Sequence, residues 1–314
     1  MPQSGSSQAL SPSRSVLLLL GLSLLWGYNW VVMKIGVSDS GPVAFAAIRV
    51  LGGAGLLFVT LLVMRRSFRI VEPVTGAIVG LLQTGAALRL ICMALRGGEA
   101  GKRAVLNYTL PIWVMILSFL FLNERPRAGQ WIATTVAVIG VAVMTFVGAR
   151  PSSLQPVFLA LGASICWGAG VVVTQSFLRR HPGRIDTLVL TTWQMVIGGT
   201  ILALVSLLVP EPPMHWNAEL ILTVLYNVGP ATAIAFLLWF SLQRRIEANV
   251  LSLIVLIVPL VGIAAGWLQL GERPCTTEAS CLSRSRAAIA VMVLTQRRQA
   301  PAPITVPAYN RAMA

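Results

Sequence analysis

The residue types that enzymes use for covalent or metal chemistry are sparse in this sequence. Its 2 histidines, His181 and His215, lie in different polar segments and form no metal-binding spacing with cysteine. The segment GGEAGKR at 97–103 lacks the glycine spacing of a phosphate-binding loop, and Arg103 stands where that loop needs Ser or Thr to reach magnesium. No GxSxG nucleophile motif is present. The sequence therefore predicts no ATPase or hydrolase, no metal site and no cofactor.

The side chains best suited to a functional role are polar and aromatic residues inside long apolar runs. In WGYNWVVMK, Trp26 and Trp30 are four residues apart with Asn29 beside them, so they lie on one side of a helix. An amide in hydrocarbon needs a hydrogen-bond partner, and a bound molecule can supply one. Similar residues complete the predicted substrate-binding set: Asn107, Tyr108, Trp167, Gln175, Gln194, Tyr226 and Asn227, with Gln83, Trp193 and Trp239 as further cavity candidates. Two alternatives stay open, an aromatic belt at the membrane interface and polar contacts between helices.

Charged residues near these runs form a second group of candidates. Lys34 closes the first run, Arg49 lies inside the second, and Glu124 and Glu272 each precede Arg-Pro at the end of a run. Charge within a bilayer is costly and marks a functional site by default. The alternatives are side chains that extend to the membrane surface, for Lys34 and Arg49, and helix-end ion pairs, for the glutamates.

The composition places these residues in a membrane protein. Of the 314 residues, 56% are hydrophobic and only 11% are charged, and the mean hydropathy is +0.79. An apolar run of about 20 residues crosses about 30 Å of hydrocarbon as a helix. The runs predict spans near 16–35, 42–64, 73–95, 105–122, 130–148, 156–178, 187–209, 218–240 and 247–270, and a tenth near 275–296.

The spans form two similar sets. VLNYTLPIWVMILSFLFLNERP at 105–126 has a counterpart in VLSLIVLIVPLVGIAAGWLQLGERP at 250–274, and LLWG at 24–27 is matched by ICWG at 165–168. The prediction is an all-α integral membrane protein built as two repeats of five helices. Because five crossings are an odd number, the second repeat is inverted relative to the first.

The repeats occupy 16–148 and 149–296, between a disordered N-terminal lead at 1–15 and a tail at 297–314. Each repeat carries a proline inside its fourth helix, Pro111 and Pro259. Proline removes a backbone hydrogen bond, so both are hinge candidates, with a kink used only for packing as the alternative.

The ordered motifs of the first repeat resemble EamA-type transporters of the drug/metabolite transporter superfamily. The resemblance rests on WGYNWVVMKIG, AAIRVLGGAGLL and AVLNYTLPIWVMILSFLFLNERP, and it covers residues 16 to 274. It implies ten helices in two inverted repeats, transport of small metabolites and often export of amino acids. It also favours a functional Lys34, because WGYNWVVMK matches the WG, Asn and Lys pattern of that family's first helix.

The predicted tenth helix departs from this family pattern. After residue 274 the chain continues CTTEASCLSRSRAAIAVMVLTQRR, in which only 287 to 295 is a continuous apolar run. Nine residues rise only about 14 Å as a helix, half of what a span needs. The segment 275–286 is therefore either read in a shifted frame or genuinely divergent, and the tenth helix is doubtful.

Basic residues predict the orientation in a bacterial inner membrane. The net charge is +14, but the Lys and Arg residues form short clusters between spans, which indicates topology rather than nucleic-acid binding. The clusters predict that both termini are cytoplasmic, although Arg96, Lys102 and Arg103 lie on the opposite side. GxxxG spacings at Gly76 and Gly262 permit helix packing or a homodimer.

The sequence thus predicts a secondary transporter that moves a small metabolite, such as an amino acid, by alternating access. Its partners are the small-molecule substrate and the membrane lipids. The alternatives are an integral-membrane enzyme or lipid-handling protein, which would need clustered intramembrane carboxylates or histidines, and a passive channel.

Overall fold

The computed structural model describes residues 12–70, 72–97, 99–123, 126, 131, 135, 154–181, 186–243 and 253–272. Throughout these residues the regular secondary structure is helical, and seven helices are long and apolar enough to cross a membrane. The prediction of an all-α protein with many spans is confirmed to that extent. Apart from residues 131 and 135, the predicted spans at 130–148 and 275–296 lie outside the described residues, so the count of ten remains a prediction.

The helices are numbered here in chain order, with two π-helical segments inside longer spans. They are α1 (Pro12–Ser38), α2 (Pro42–Val63), α3 (Pro73–Val79), π1 (Gly80–Ala86), α4 (Ala87–Arg96), α5 (Ala100–Asn107), α6 (Leu110–Leu122), α7 (Gln155–Arg180), α8 (Thr187–Leu208), α9 (Ala218–Val228), π2 (Gly229–Ile234), α10 (Ala235–Gln243) and α11 (Leu253–Leu270). Three spans are composite: Pro73–Arg96, Ala100–Leu122 and Ala218–Trp239.

Local sequence signals set several helix ends. The side chains of Asp186 and Asn217 accept hydrogen bonds from the backbone N–H groups of Leu188 (2.9 Å) and Leu220 (2.7 Å), and so begin α8 and α9. Asn123 and Gly271 follow the fourth helix of each repeat with positive φ angles of 53° and 67°. Gly and Asn are the residues that adopt this left-handed conformation most readily, and it commonly ends helices.

The outer surface of the bundle is strongly apolar. Leu207 is 82% exposed and Leu268 is 79% exposed, and many other large hydrophobic side chains also face outward. In water such a surface would aggregate, whereas in a bilayer it contacts lipid tails. The spans therefore belong in a membrane.

The two halves of the chain interdigitate. Helix α1 packs against α11, α7 packs against α4 and α6, and α2 packs against α8. Segment π1 of the first half lies against α7 and α8, and π2 of the second half lies against α1 and α2. The third span of each half thus inserts its π segment against the first two helices of the other half.

The α2–α8 pair is held by side chains at both ends. At one end, the carboxylate of Glu211 accepts hydrogen bonds from the backbone N–H groups of Val43 and Ala44, both at 2.9 Å, at the start of α2. At the other end, Arg66 forms an ion pair with Asp186 at 2.6 Å, at the start of α8. In both cases a residue beyond the end of one helix contacts the N-terminus of the other. A carboxylate lies at each N-terminus, Glu211 at α2 and Asp186 at α8, where the helix dipole favours negative charge.

Glycines let the π segments approach the opposite half. A Cβ atom at Gly53 would lie 2.5 Å from the Thr232 side chain of π2, and one at Gly198 would lie 2.5 Å from the Gly80 carbonyl oxygen of π1. Both distances are too short for a side chain to fit without movement of the helices. These glycines set the spacing between the two halves.

We expect Gly198→Ala to destabilise the protein by about 1–3 kcal/mol, because the new methyl group meets backbone that cannot rotate away. The measurement is thermal unfolding of the purified protein in detergent. Gly55→Ala is the matched control, since a Cβ at Gly55 meets nothing within 4 Å. Equal unfolding temperatures for the two variants would contradict this account of the packing.

Candidate substrate-binding site

An aromatic wall joins α1 to the composite span Ala218–Trp239. The Trp26 ring contacts Phe236 and Trp239, with ring centroids 6.1 and 5.7 Å apart, and its Nε1–H donates to the carbonyl oxygen of Ala231 in π2 at 3.2 Å. The Tyr226 hydroxyl donates to the carbonyl oxygen of Leu25 at 2.9 Å. The structure thus brings two predicted residues, Trp26 and Tyr226, to one interface between the halves. Trp30, which is 5% exposed, is also buried in the bundle.

The Trp26 contact uses an irregular feature of the backbone. In a π-helical turn the carbonyl groups are out of register with an α-helix, and such turns often occur at functional sites. The Ala231 carbonyl lies in such a turn, next to the proline of GPATAI. The tryptophan therefore holds the irregular turn of one half against the first helix of the other.

The corresponding position in the second half is built differently. Aligning Trp26-Gly27 with Trp167-Gly168 pairs Asn29 with Gly170. The Gln83 side chain of π1 occupies the space that a side chain at Gly170 would need. The first half therefore supplies an amide at both first helices, with Asn29 on α1 and Gln83 of π1 beside α7.

Three buried asparagines have an amide oxygen without a hydrogen-bond partner among the described residues, namely Asn29, Asn107 and Asn227. Asn227 is fully buried, and its Nδ2 group donates to the carbonyl oxygen of Thr223 at 3.0 Å, which fixes the orientation of the amide. Leaving such an acceptor unpaired costs about 1–3 kcal/mol. These oxygens are therefore positions at which a bound molecule or water gains a hydrogen bond.

Arg49 lies inside the bundle. The residue is only 7% exposed. Its Nη1 group donates to the sulfur of Met33 at 2.9 Å, and its Nε group has no partner among the described residues. Met33 lies one helical turn after Asn29 on α1, so the arginine and this amide border the same stretch of α1. The guanidinium stays within the protein and does not extend to the bundle surface.

The fourth span is broken at the predicted hinge. Helix α5 ends at Asn107, a turn follows, and α6 begins at Leu110 with Pro111 in its first turn. Proline has no N–H group, so Asn107 loses the partner that a continuous helix would give its carbonyl. The hydroxyl of Ser164 in α7 donates to that carbonyl at 3.0 Å and replaces it.

The second predicted hinge has a different setting. Pro259 lies within the continuous helix α11, with no break in the helix around it. The two prolines are therefore alike in sequence but differ in local structure, and hinge motion at either one remains a prediction.

Four other predicted residues lie along α7, α8 and the broken fourth span. Tyr108 occupies the turn between α5 and α6, and Trp167 and Gln175 lie half-buried along α7. The backbone of Gln194 in α8 passes close to Gly80 of π1. These residues border the π1 side of the bundle, whereas Trp26, Asn29 and Asn227 border the π2 side.

Glu272 connects three helices at one end of the bundle. Its carboxylate accepts hydrogen bonds from the backbone N–H groups of Ala100 (2.7 Å) and Gly101 (3.2 Å) and forms an ion pair with Lys34 at 3.3 Å. It therefore ties the end of α11 to the start of α5 and the end of α1. Glu124 lies outside the described residues.

The start of the fourth span differs from the prediction because of this contact. The span begins at Ala100, whereas the sequence predicted 105. The prediction was too late because Lys102 and Arg103 suggest a polar loop in the sequence. In the structure Arg103 is 6% exposed, and Lys102 forms an ion pair with Glu99 at 2.8 Å. Their positions at the end of the bundle explain why basic residues are tolerated there.

Comparison with known proteins follows the same division into halves. A model described as the EamA-like transporter family matches the chain twice, over residues 13–146 and 154–294. This chain belongs to the EamA-like transporter family. The resemblance inferred from the sequence motifs is confirmed, and the family indicates a multi-pass membrane transporter.

Relatives of similar length support this assignment to the EamA-like family. The uncharacterized transporter YoaV of Bacillus subtilis (strain 168) is 26% identical over 261 residues, which cover 81% of this chain and 88% of the relative. A probable amino-acid metabolite efflux pump of Salmonella typhimurium (strain LT2) is 27% identical over 268 residues, covering 81% and 86%.

A solved structure titled "Crystal structure of protein" shares the fold. It has a TM-score of 0.65 and 20% identity, and the match covers 92% of this chain and 99% of that one.

We expect Glu272→Ala to destabilise the protein by about 1–2 kcal/mol, because two helix-terminal N–H groups lose their acceptor. Thermal unfolding in detergent measures the change. Glu219→Ala is the control, because this glutamate also has its carboxylate near a helix N-terminus, in the first turn of α9, but is exposed. A Glu272→Ala protein that unfolds at the same temperature as Glu219→Ala would show that the contacts of Glu272 contribute little.

Proposed function

We propose that this EamA-family protein is a secondary transporter that carries a small metabolite across the bacterial cytoplasmic membrane by alternating access, most readily as an exporter of amino acids or related compounds. The observation that carries the proposal is the interface between the halves, where buried amide oxygens lack partners among the described residues. The printed name of the Salmonella relative, an amino-acid metabolite efflux pump, supports the substrate class.

Ten helices in two inverted repeats, 16–148 and 149–296, fit this mechanism. Each π segment lies against the first two helices of the other half, so the helices on the two sides of the site are arranged alike, although the side chains differ. Inverted halves that exchange conformations open such a site to one side of the membrane and then to the other. The tenth helix, including the atypical segment 275–286, completes the second repeat in this proposal.

The charges at the two ends of the bundle support a cytoplasmic location for both termini. One end, called here the arginine-rich face, carries Arg65, Arg66, Arg69, Arg179 and Arg180 with the acids Glu72 and Asp186. The opposite end, called the acidic face, carries Asp39, Glu99, Glu211, Glu219 and Glu272 with Lys34, Arg96, Lys102 and Arg103. Because basic residues collect on the cytoplasmic side, the arginine-rich face and the N-terminus are cytoplasmic.

The test is counterflow of a labelled amino-acid panel into proteoliposomes that contain the purified full-length protein. We expect saturable exchange of one compound or a few related ones. Asn29→Ala should lower exchange about 10- to 100-fold, because the substrate loses a hydrogen-bond partner in a buried site. Thr200→Ala, at an exposed position of α8 where the hydroxyl bonds only its own helix, should exchange like the wild type.

Two outcomes would contradict the proposal. Flux that rises linearly with concentration, without counterflow, would identify a channel. Equal exchange by Asn29→Ala and Thr200→Ala would remove α1 from the substrate site. Elution as a single species in detergent and intact insertion in the liposomes must be shown for each variant.

A further inference from the structure

Within the described residues, Arg49 is a buried cation without a carboxylate beside it. Among the described residues, Arg66 pairs with Asp186, and Arg103, although buried, lies near the carboxylates of Glu99 and Glu272. Arg49 has no carboxylate in salt-bridge contact within the same described part of the chain.

Its nearest polar groups are weak acceptors. They are the thioether of Met33, at 2.9 Å from Nη1, and the thiol of Cys92. A buried guanidinium normally has an anion beside it, because desolvating an uncompensated charge is costly. The described protein does not supply that anion.

The fold itself does not need an arginine at this position. The sequence Arg49-Val-Leu-Gly-Gly in α2 corresponds to Met195-Val-Ile-Gly-Gly in α8, and one glycine of each pair, Gly53 or Gly198, lies against a π segment. Met195 is also buried, at 7% exposure, and fills the matching place with an uncharged side chain. A long apolar residue therefore satisfies the packing, so the charge of Arg49 has another purpose.

Arg49 lies on α2, which contacts both helices that carry the unpaired asparagines Asn29 and Asn227. It is one helical turn before Gly53, which contacts Thr232 of π2, and Gly52 contacts Val228, the neighbour of Asn227. The contact with Met33 brings Arg49 to the helix that carries Asn29, whose amide oxygen also lacks a partner among the described residues. One unfilled N–H donor on a cation and two unfilled amide oxygens thus lie on three helices that contact one another, α2, α1 and α9.

We propose that Arg49 binds the carboxylate of the transported compound. An arginine edge that includes Nε–H matches the two oxygens of a carboxylate in a bidentate pair. The oxygens of Asn29 and Asn227 accept hydrogen bonds from donors on the same compound, such as an ammonium group. This inference rests on the proposed transport function and narrows its substrates to small carboxylates.

The first experiment compares carboxylates with matched neutral analogues. Unlabelled L-leucine, L-phenylalanine and L-threonine, and the α-amide of each, compete for counterflow into liposomes with the wild type, Arg49→Met and Arg49→Lys. In the wild type the acid should compete about 30- to 1,000-fold better than its amide, the range expected when a buried charge loses its partner. In Arg49→Met the acid and the amide should compete equally, and Arg49→Lys should keep part of the preference.

Arg69→Met is the matched control. Arg69 is an exposed arginine in the connection after α2, and this variant should keep the wild-type preference for the acid. Exchange by the wild type without any preference for the acid would overturn the inference and leave the proposed transport function intact.

A second measurement separates binding from folding. Without substrate, Arg49→Met should unfold at the same temperature as the wild type or at a higher one, because an uncompensated buried charge has been removed. Acetate and L-leucine at millimolar concentration should raise the unfolding temperature of the wild type and leave that of Arg49→Met unchanged.

A protein that exchanges nothing but shows this protection would contradict the transport function and support the anion site. An Arg49→Met protein that is less stable than the wild type, or equal protection of both proteins, would overturn the inference.

Discussion

The constraint on which this structure depends is that backbone polar groups in hydrocarbon must find their partners within the protein. Regular helices meet it along most of each span. Where the helices are irregular, a side chain of the other half completes the hydrogen bonding: Trp26 bonds the Ala231 carbonyl in π2, and Ser164 bonds the Asn107 carbonyl that Pro111 leaves unpaired. The hydrogen bonding of this irregular backbone is therefore completed at contacts between the halves, and the unpartnered amides of the described residues belong to helices that take part in such contacts.

The helix ends repeat the same principle with charge. Glu211 and Glu272 both come from the second half, and both hold the N-termini of first-half helices at the acidic face. At the arginine-rich face the first half supplies a cation instead of a carboxylate. Arg66 of the first half pairs with Asp186 at the start of α8. These contacts cross between the halves, so any motion that separates the halves at one face must break them at that face.

The sequence predicted the seven spans that the structure describes, because an uninterrupted run of about 20 apolar residues is long enough to cross the bilayer and is rare in soluble helices. It also singled out Asn29, Arg49 and Glu272 as polar groups in unusual places. It did not predict the π segments, since GLLQTGA and GPATAI carry no signal that separates a π turn from an α turn. The partner of Glu272 was equally hidden, because the contact joins residues far apart in the chain and depends on how α11 meets α5.

The placement of Gln83 against Gly170 bears on how duplicated proteins diverge. A column-by-column alignment of the two repeats scores Asn29 against Gly170 as the loss of a polar residue. In three dimensions the Gln83 side chain of π1 fills the space beside Gly170, and the glycine makes room for it. The first helices of the two repeats thus have amides from different positions in the sequence, which a comparison of the repeats by sequence alone does not reveal.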